Sequence, residues 1–539
     1  MTPPSSSTTA RNEDRSHVVR FSWFSVAALL LVAVLVWAVG LGINGDLAAI
    51  FAGTQTSFGF DAQAALEGVS NSGEIMTAVL AIAITVVAIV VELAANRYSH
   101  RVTTLFLRAP VNLVTLSLFA VTALQCVWLA FGLGGQSTEV NAGVLITLGL
   151  ISASLLLLLP YFAYVLGFIS PLNIIHRIAA GGARAIERAA ATNDIARARK
   201  MVALTIEDLQ DVTRKAVEQS DRGVAMASTN ALFSLLEHYR EHRSRLPEAW
   251  FALDAELADD PDFVSMEADA LTPVRENGLW LELKVFRQLT SSVGQAVPAL
   301  RDLASLVAIN TRMIGERYGP ADAAFLSLCS KAFNSYLRVS INAHDPRTSY
   351  YLLNQYRMLA DGLVRAGASD GAVSIAEHFR YYGQLAHHEN QPFLLEVAAY
   401  DLVHLIQSCR AREDADHLEI TDHLISVLLE LDLEILSDRE EPSLIGVRRA
   451  QMQLAAQLLE LGDTERVARI VADLAAEPEP RLAAISEALR KETRSEFWEL
   501  TERGIVFEYL APDLHKQLEV LSDQVGAYRA AHGQFLQDA

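Results

Sequence analysis

Six side chains in one stretch are of the types that hold metal ions: His378, His387, His388, Glu389, Asp401 and His404. A metal site needs such groups to converge on one point. His387 and His388 are adjacent, so on a helix they point about 100° apart and do not share one ion. No His-Glu-x-x-His motif and no repeated Glu-x-x-His pair occurs. The cluster therefore reads as solvated histidines at a helix end. Glu419 and His423 read as an ordinary i, i+4 pair. The three cysteines, Cys126, Cys329 and Cys409, are widely separated and suit neither a disulfide framework nor zinc. Glycine-rich phosphate loops, nucleophile elbows and kinase-type signatures are all missing. No catalytic, cofactor-binding or metal site is expected, and an enzyme is the less favoured class.

The sharpest local signal is the run from Val339 through Ser340, His344, Asp345, Pro346 and Thr348. Asp345 is placed to cap a helix, and Pro346 is the favoured residue at a first helical position. Leu352, Leu353, Tyr356 and Leu359 then supply the apolar face of that helix.

The elements that would position these residues fall into two kinds. Residues 21–43, 75–93, 110–133 and 143–169 are four apolar runs near or above the ~20 residues needed to cross a bilayer. Cations set their orientation. Arg11, Arg15 and Arg20 precede the first run, and Arg97, Arg101 and Arg108 separate the second from the third. Arg177, Arg184, Arg188, Arg197, Arg199 and Lys200 follow the fourth, whereas 44–74 and 134–142 contain neither Lys nor Arg. Both termini are therefore expected in the cytoplasm, in a multi-pass protein of the plasma membrane. Residues 61–69 are expected to form a short helix on the outer face. Gln125 and Cys126 read as polar glue between spans. Glu92 lies near a cytoplasmic end, where an interfacial acid is the ordinary reading.

Charge divides the chain. The first 169 residues hold six of the 44 Lys and Arg and eight of the 64 Asp and Glu, so the remainder carries −18. An acidic body argues against nucleic acid, which needs a basic face. Directly after the fourth span, Arg184, Arg188, Arg197, Arg199 and Lys200 form a basic collar expected to touch anionic lipid. Beyond it, apolar residues recur at three- and four-residue spacing, so helices are expected nearly to the end, with a loop-rich connector over 243–271. Pro298 must kink or split the long helical pattern of 282–318. Leu461-Gly462-Asp463-Thr464 and Ala366-Gly367-Ala368-Ser369 read as a glycine C-cap followed at once by an N-cap. Such joints build helical arrays, and 455–474 resembles one tetratricopeptide-type hairpin without a strict 34-residue period.

The whole resembles an uncharacterised bacterial family of predicted membrane proteins with four N-terminal spans. Its motif is similar to this chain at Ser340, Asp345, Pro346 and Thr348, with His344 standing where the family has Asn. The inner loop Asn96-Arg97-Tyr98-Ser99-His100-Arg101 is similar as well. The resemblance implies location and topology and no activity.

The expected fold is all-α: a four-helix transmembrane region over 21–169, then an irregular cytoplasmic, α-solenoid-like array. Residues 1–20 would be a disordered tail, 170–242 a basic juxtamembrane and helical connector, and 243–539 the cytoplasmic domain. The expected role is a membrane-anchored scaffold or adaptor. Its expected partners are the lipid bilayer, a cytoplasmic protein and further copies of the chain. The alternative is an oligomeric channel with a cytoplasmic gate, disfavoured because the spans offer few pore-lining polar groups.

Overall fold

The computed structural model describes residues 62–97, 103, 106, 109–133, 142–192, 194–297, 299–412, 415–432, 442–499 and 501–532. Among these residues the regular elements are helices, and strand pairing is confined to one antiparallel bridge between Glu496 and Ile505. The chain forms two compact units, residues 1–177 and 178–539.

The first unit contains α1 (Ala62–Arg97), α2 (Pro110–Leu133) and α3 (Ala142–Ile169). All three are long and apolar enough to cross a membrane. They correspond to the second, third and fourth expected spans, while the first, 21–43, lies outside the described residues. The short surface helix expected over 61–69 is instead the start of α1, which runs without a break into the span. Helical backbone satisfies its own polar groups, so continuing α1 leaves none to be paired at the bilayer edge. Gly73 lets α1 approach α2 closely: a Cβ there would lie 3.2 Å from the Cβ of Cys126.

Two apolar clusters hold these helices together. One joins Val87, Val91, Phe106, Tyr161, Val165 and Phe168, and the other joins Met76, Ala83, Phe119 and Ala123. Phe106 meets Phe168 edge-on at 5.2 Å. The polar links between helices are Tyr161 donating to Asn112 Oδ1, and Thr122 with Ser154 at 3.1 Å. Among the described residues, the polar glue between these helices is on residues other than Gln125 and Cys126.

The boundary between units falls within α4 (Pro171–Ala191). In the second unit follow α5 (Ile195–Glu218) and α6 (Arg222–His242), then short helical turns and a ten-residue helix, Ala268–Asn277. After them come α7 (Trp280–Ala296), α8 (Arg301–Tyr318), α9 (Ala323–Asn342) and α10 (Pro346–Ala366). The chain ends with α11 (Ser369–His388), α12 (Phe393–Arg410), α13 (Ala415–Leu429), α14 (Pro442–Glu460), α15 (Thr464–Leu474), α16 (Glu479–Lys491) and α17 (His515–His532). The pattern over 282–318 is indeed divided, into α7 and α8.

These helices stack in two layers. One runs α5, α7, α9, α11, α13, α15; the other runs α6, α8, α10, α12, α14, α17. From α7 onward the first helix of each pair starts 43, 46, 46 and 49 residues after the last. This is a solenoid of helix pairs with an irregular period. α5 and α6 open both layers, so the residues expected to form a separate connector belong to the array itself. α12 is its most central helix. Leu394, Leu395, Val397, Ala398, Leu402, Leu405 and Ile406 are all buried, an apolar surface nearly all round.

The loop-rich stretch over 243–271 is tied down by aromatic packing. Trp250 and Trp280 are fully buried with ring centroids 5.7 Å apart, and Trp280 Nε1 donates to the carbonyl of Trp250 at 2.8 Å. Truncating either ring to Ala would cost about 3–5 kcal/mol.

Candidate functional site

The Ser340–Thr348 motif is a helix junction. α9 ends with His344 in the left-handed region (φ 50°), and the N–H of Asp345 returns to the carbonyl of Ser340 at 3.1 Å. Asp345 then opens α10. Its carboxylate accepts from the N–H of Thr348 at 3.2 Å, the hydroxyl of Thr348 at 3.0 Å and Arg301 Nε at 2.7 Å. Pro346 occupies the first helical position. Ser340 accepts from the hydroxyl of Ser349 at 2.9 Å, behind the cap. Burial pushes the Asp345 carboxyl up, but the bonds from Arg301 and Thr348 outweigh it and hold it below the usual range. Ser340, Asp345 and Thr348 are buried at this joint, while Pro346 is exposed at the start of α10. The other two joints use glycine as expected, with Gly367 at φ 78° and Gly462 at φ 72°. Their N-caps differ from expectation. Asp463 makes no cap hydrogen bond and instead accepts from Arg410 (3.0 Å) and Arg466 (2.9 Å). Leu461, in the turn between the two helices, is 62% exposed.

The basic collar divides. Arg184, Arg188, Arg197 and Lys200 are exposed. Arg199 contradicts the lipid-contact reading: its side chain is 7% exposed and pairs with Asp254 at 2.8 Å. It also donates to the carbonyl of Ala252 at 2.7 Å and lies 5.8 Å from the Trp280 ring. On α5 it points at the same face as Val202 and Ile206, toward the array and away from solvent.

Charges that pattern reading missed sit deep in the array. Glu282 is fully buried and accepts from Arg240 at 3.0 Å and Arg243 at 3.1 Å. Burial pushes its carboxyl up; the two guanidiniums oppose this without reversing it. Two residues on, the fully buried Lys284 meets Asp260 (2.7 Å), Asp262 (2.8 Å) and Glu207 (2.9 Å). Removing one member of such a buried group leaves uncompensated charge, typically about 3–5 kcal/mol.

A further set lies where residues 495–510 cross the layer of α10, α12 and α14. The segment turns back on itself: the N–H of Phe497 reaches the carbonyl of Gly504, and that of Val506 the carbonyl of Ser495, both at 3.1 Å. Gly504 makes the return with φ 64°. Arg503, with a side chain 3% exposed, donates two hydrogen bonds to Asp401 on α12, one of them at 3.0 Å. Its guanidinium sits 4.6 Å from the Tyr350 ring centroid. Phe507 stacks on Tyr400 at 4.6 Å, with the rings 6° from parallel. Gln453 on α14 donates to the carbonyls of Phe507 (2.8 Å) and Tyr509 (3.2 Å), and Arg449 pairs with Glu508.

The histidines are dispersed among separate partners. His378 bonds the hydroxyl of the buried Tyr356 at 2.9 Å, and burial lowers its basicity. His404 lies 3.4 Å from Asp361. His423 pairs with Glu377 on α11 at 3.0 Å, rather than with Glu419 on its own helix. Neighbouring helices lie close enough across the layer to displace the local i, i+4 partner.

Residues 15–239 match the model of a family described as "Predicted membrane protein (DUF2254)". With three helices long and apolar enough to cross a bilayer, that match settles the general class. This chain is a membrane protein. The matched residues include 96–101, while the Ser340–Thr348 junction lies beyond them. No curated protein matches the chain. Among solved structures, a "Circular tandem repeat protein with novel repeat topology and enhanced subunit contact surfaces" is 15% identical, covering 89% of this chain and 99% of that one. Its TM-score is 0.24, too low to carry an argument about fold or function.

Proposed function

We propose that the protein is a multi-pass, membrane-anchored scaffold or adaptor whose helical array lies in the cytoplasm and engages other proteins. The observation that carries the reading is the join itself: apolar helices feed directly into a two-layer solenoid of helix pairs. Solenoids present long surfaces assembled from successive repeats and typically use them for protein recognition. Polar groups in the described apolar helices link helix to helix, Tyr161 with Asn112 and Thr122 with Ser154, which favours an anchor over a conducting path. The absence of Lys and Arg from residues 44–74 and 134–142 supports an outward placement of those segments. The exposed cations Arg184, Arg188, Arg197 and Lys200 suit contact with an anionic inner leaflet. Crosslinking in native membranes, followed by identification of the attached proteins, tests the role. A specific soluble partner is expected. Recovery of only further copies of the chain would favour the oligomeric pore.

A further inference from the structure

We propose that the face formed by α10, α12 and α14 is a docking groove for an extended protein segment carrying an arginine and, four residues on, an aromatic ring, and that residues 495–510 occupy it in cis as a displaceable plug. The inference rests on the scaffold reading and names the chemistry of the partner. Each recognition element belongs to the array and each complement to the plug. Asp401 offers a carboxylate edge to the two-pronged guanidinium of Arg503, and Tyr350 offers its ring face to the same cation. Tyr400 supplies a flat platform for Phe507. Gln453 holds two backbone carbonyls, a contact that any extended chain can make. Arg449 takes the acid that follows the ring.

The plug has little structure of its own. It is closed by one bridge, and its outward side chains Trp498 and Ile505 are 66% and 51% exposed. Segments with few internal contacts open without unfolding what lies beneath them. Opening would take Arg503 away from Asp401, yet Arg357 lies 3.5 Å from the same carboxylate and Asp361 accepts from Arg357 at 2.7 Å. The groove therefore keeps its shape while selecting for an incoming guanidinium. Lys, a point charge without a planar fork, would serve poorly.

The test uses the full chain in detergent micelles and a fluorescent synthetic peptide copying residues 493–512. The wild-type chain should bind the peptide weakly, because its groove is filled. Arg503→Ala in the chain should tighten binding at least tenfold. The gain should vanish when the peptide carries the same change, or when Asp401→Asn is added to the chain. Hydrogen exchange on the wild-type chain gives an independent reading should Arg503→Ala fail to fold: residues 495–510 should exchange well before α12. No gain in peptide binding by a folded Arg503→Ala chain would overturn the proposal. So would exchange of 495–510 only together with α12. Dimerisation of the wild-type chain by trading plugs would assign the groove to a second copy and contradict a separate partner. A scaffold that captures partners on another face would still crosslink to them in membranes with this groove closed, so the two failures are distinguishable.

Discussion

His344 and Asp345 show how much one joint asks of two residues. His344 is exposed, so its side chain contributes little beyond tolerating a left-handed backbone at φ 50°. Asn adopts that region more readily, which gives a physical reason for Asn at this place in the motif that the chain resembles. His344→Asn should raise stability by about 0.5 kcal/mol, read as a higher denaturation midpoint. A fall would show that the imidazole does more than occupy the turn. Asp345→Ala should cost about 1 kcal/mol as a lost cap, and more through Arg301. Asp345→Asn keeps an acceptor but loses the charge, so its effect should depend on pH. The native carboxyl is held below its unfolded value, so its contribution is full above the ordinary carboxylate range near pH 4. It is lost as pH falls from there through the lowered native value. The gap between wild type and Asp345→Asn should therefore be constant at neutral pH and close below about pH 4; a pH-independent gap would mean that the charge is idle. The cap was legible in sequence because its partners are three residues away. Arg301, 44 residues upstream, was not. Glu282 and Lys284 did leave a trace, as lone charges within the apolar run Trp280–Phe286, but periodicity counts such residues as exceptions and does not name their partners.

Among elements, helices were legible and their neighbours were not. α10 begins and ends where Asp345, Pro346 and Gly367 place it, because caps and breakers act locally. The fate of Arg199 depended on the connector folding back to bring Asp254 beside it, a contact 55 residues distant. That difference makes a prediction. In a fragment beginning at residue 178, replacing Arg184, Arg188, Arg197 and Lys200 by Gln should abolish binding to anionic vesicles, at ~1 kcal/mol per cation, and leave helical content intact. Salt should weaken the wild-type fragment in the same direction. Arg199→Gln should instead lower the melting temperature with vesicle binding kept. Equal binding to neutral and anionic vesicles would mean that the collar serves only to orient the chain. The hairpin over 495–510 was the least legible element, since the short run 505–510, apolar except for Glu508, fits helix and strand alike until α12 supplies Asp401 and Tyr400.

At the scale of the whole molecule, composition alone divided apolar helices from an acidic helical body, and the two compact units follow that division. The change of character at residue 170 is sharp in sequence because bilayer and water demand opposite surfaces. The further split at residue 243 did not survive, because helix pairs on both sides of the connector stack into common layers. The central claim is that the apolar helices hold this array on the cytoplasmic side. Single cysteines at Ser57 and Gly181 test it with a membrane-impermeant thiol reagent on intact cells. The native thiols are suited to the assay: Cys126, Cys329 and Cys409 are all buried, and burial pushes the Cys409 thiol up to about 12. The account predicts labelling at position 57 on intact cells and at position 181 only after lysis. Labelling of 181 but not 57 on intact cells would contradict it.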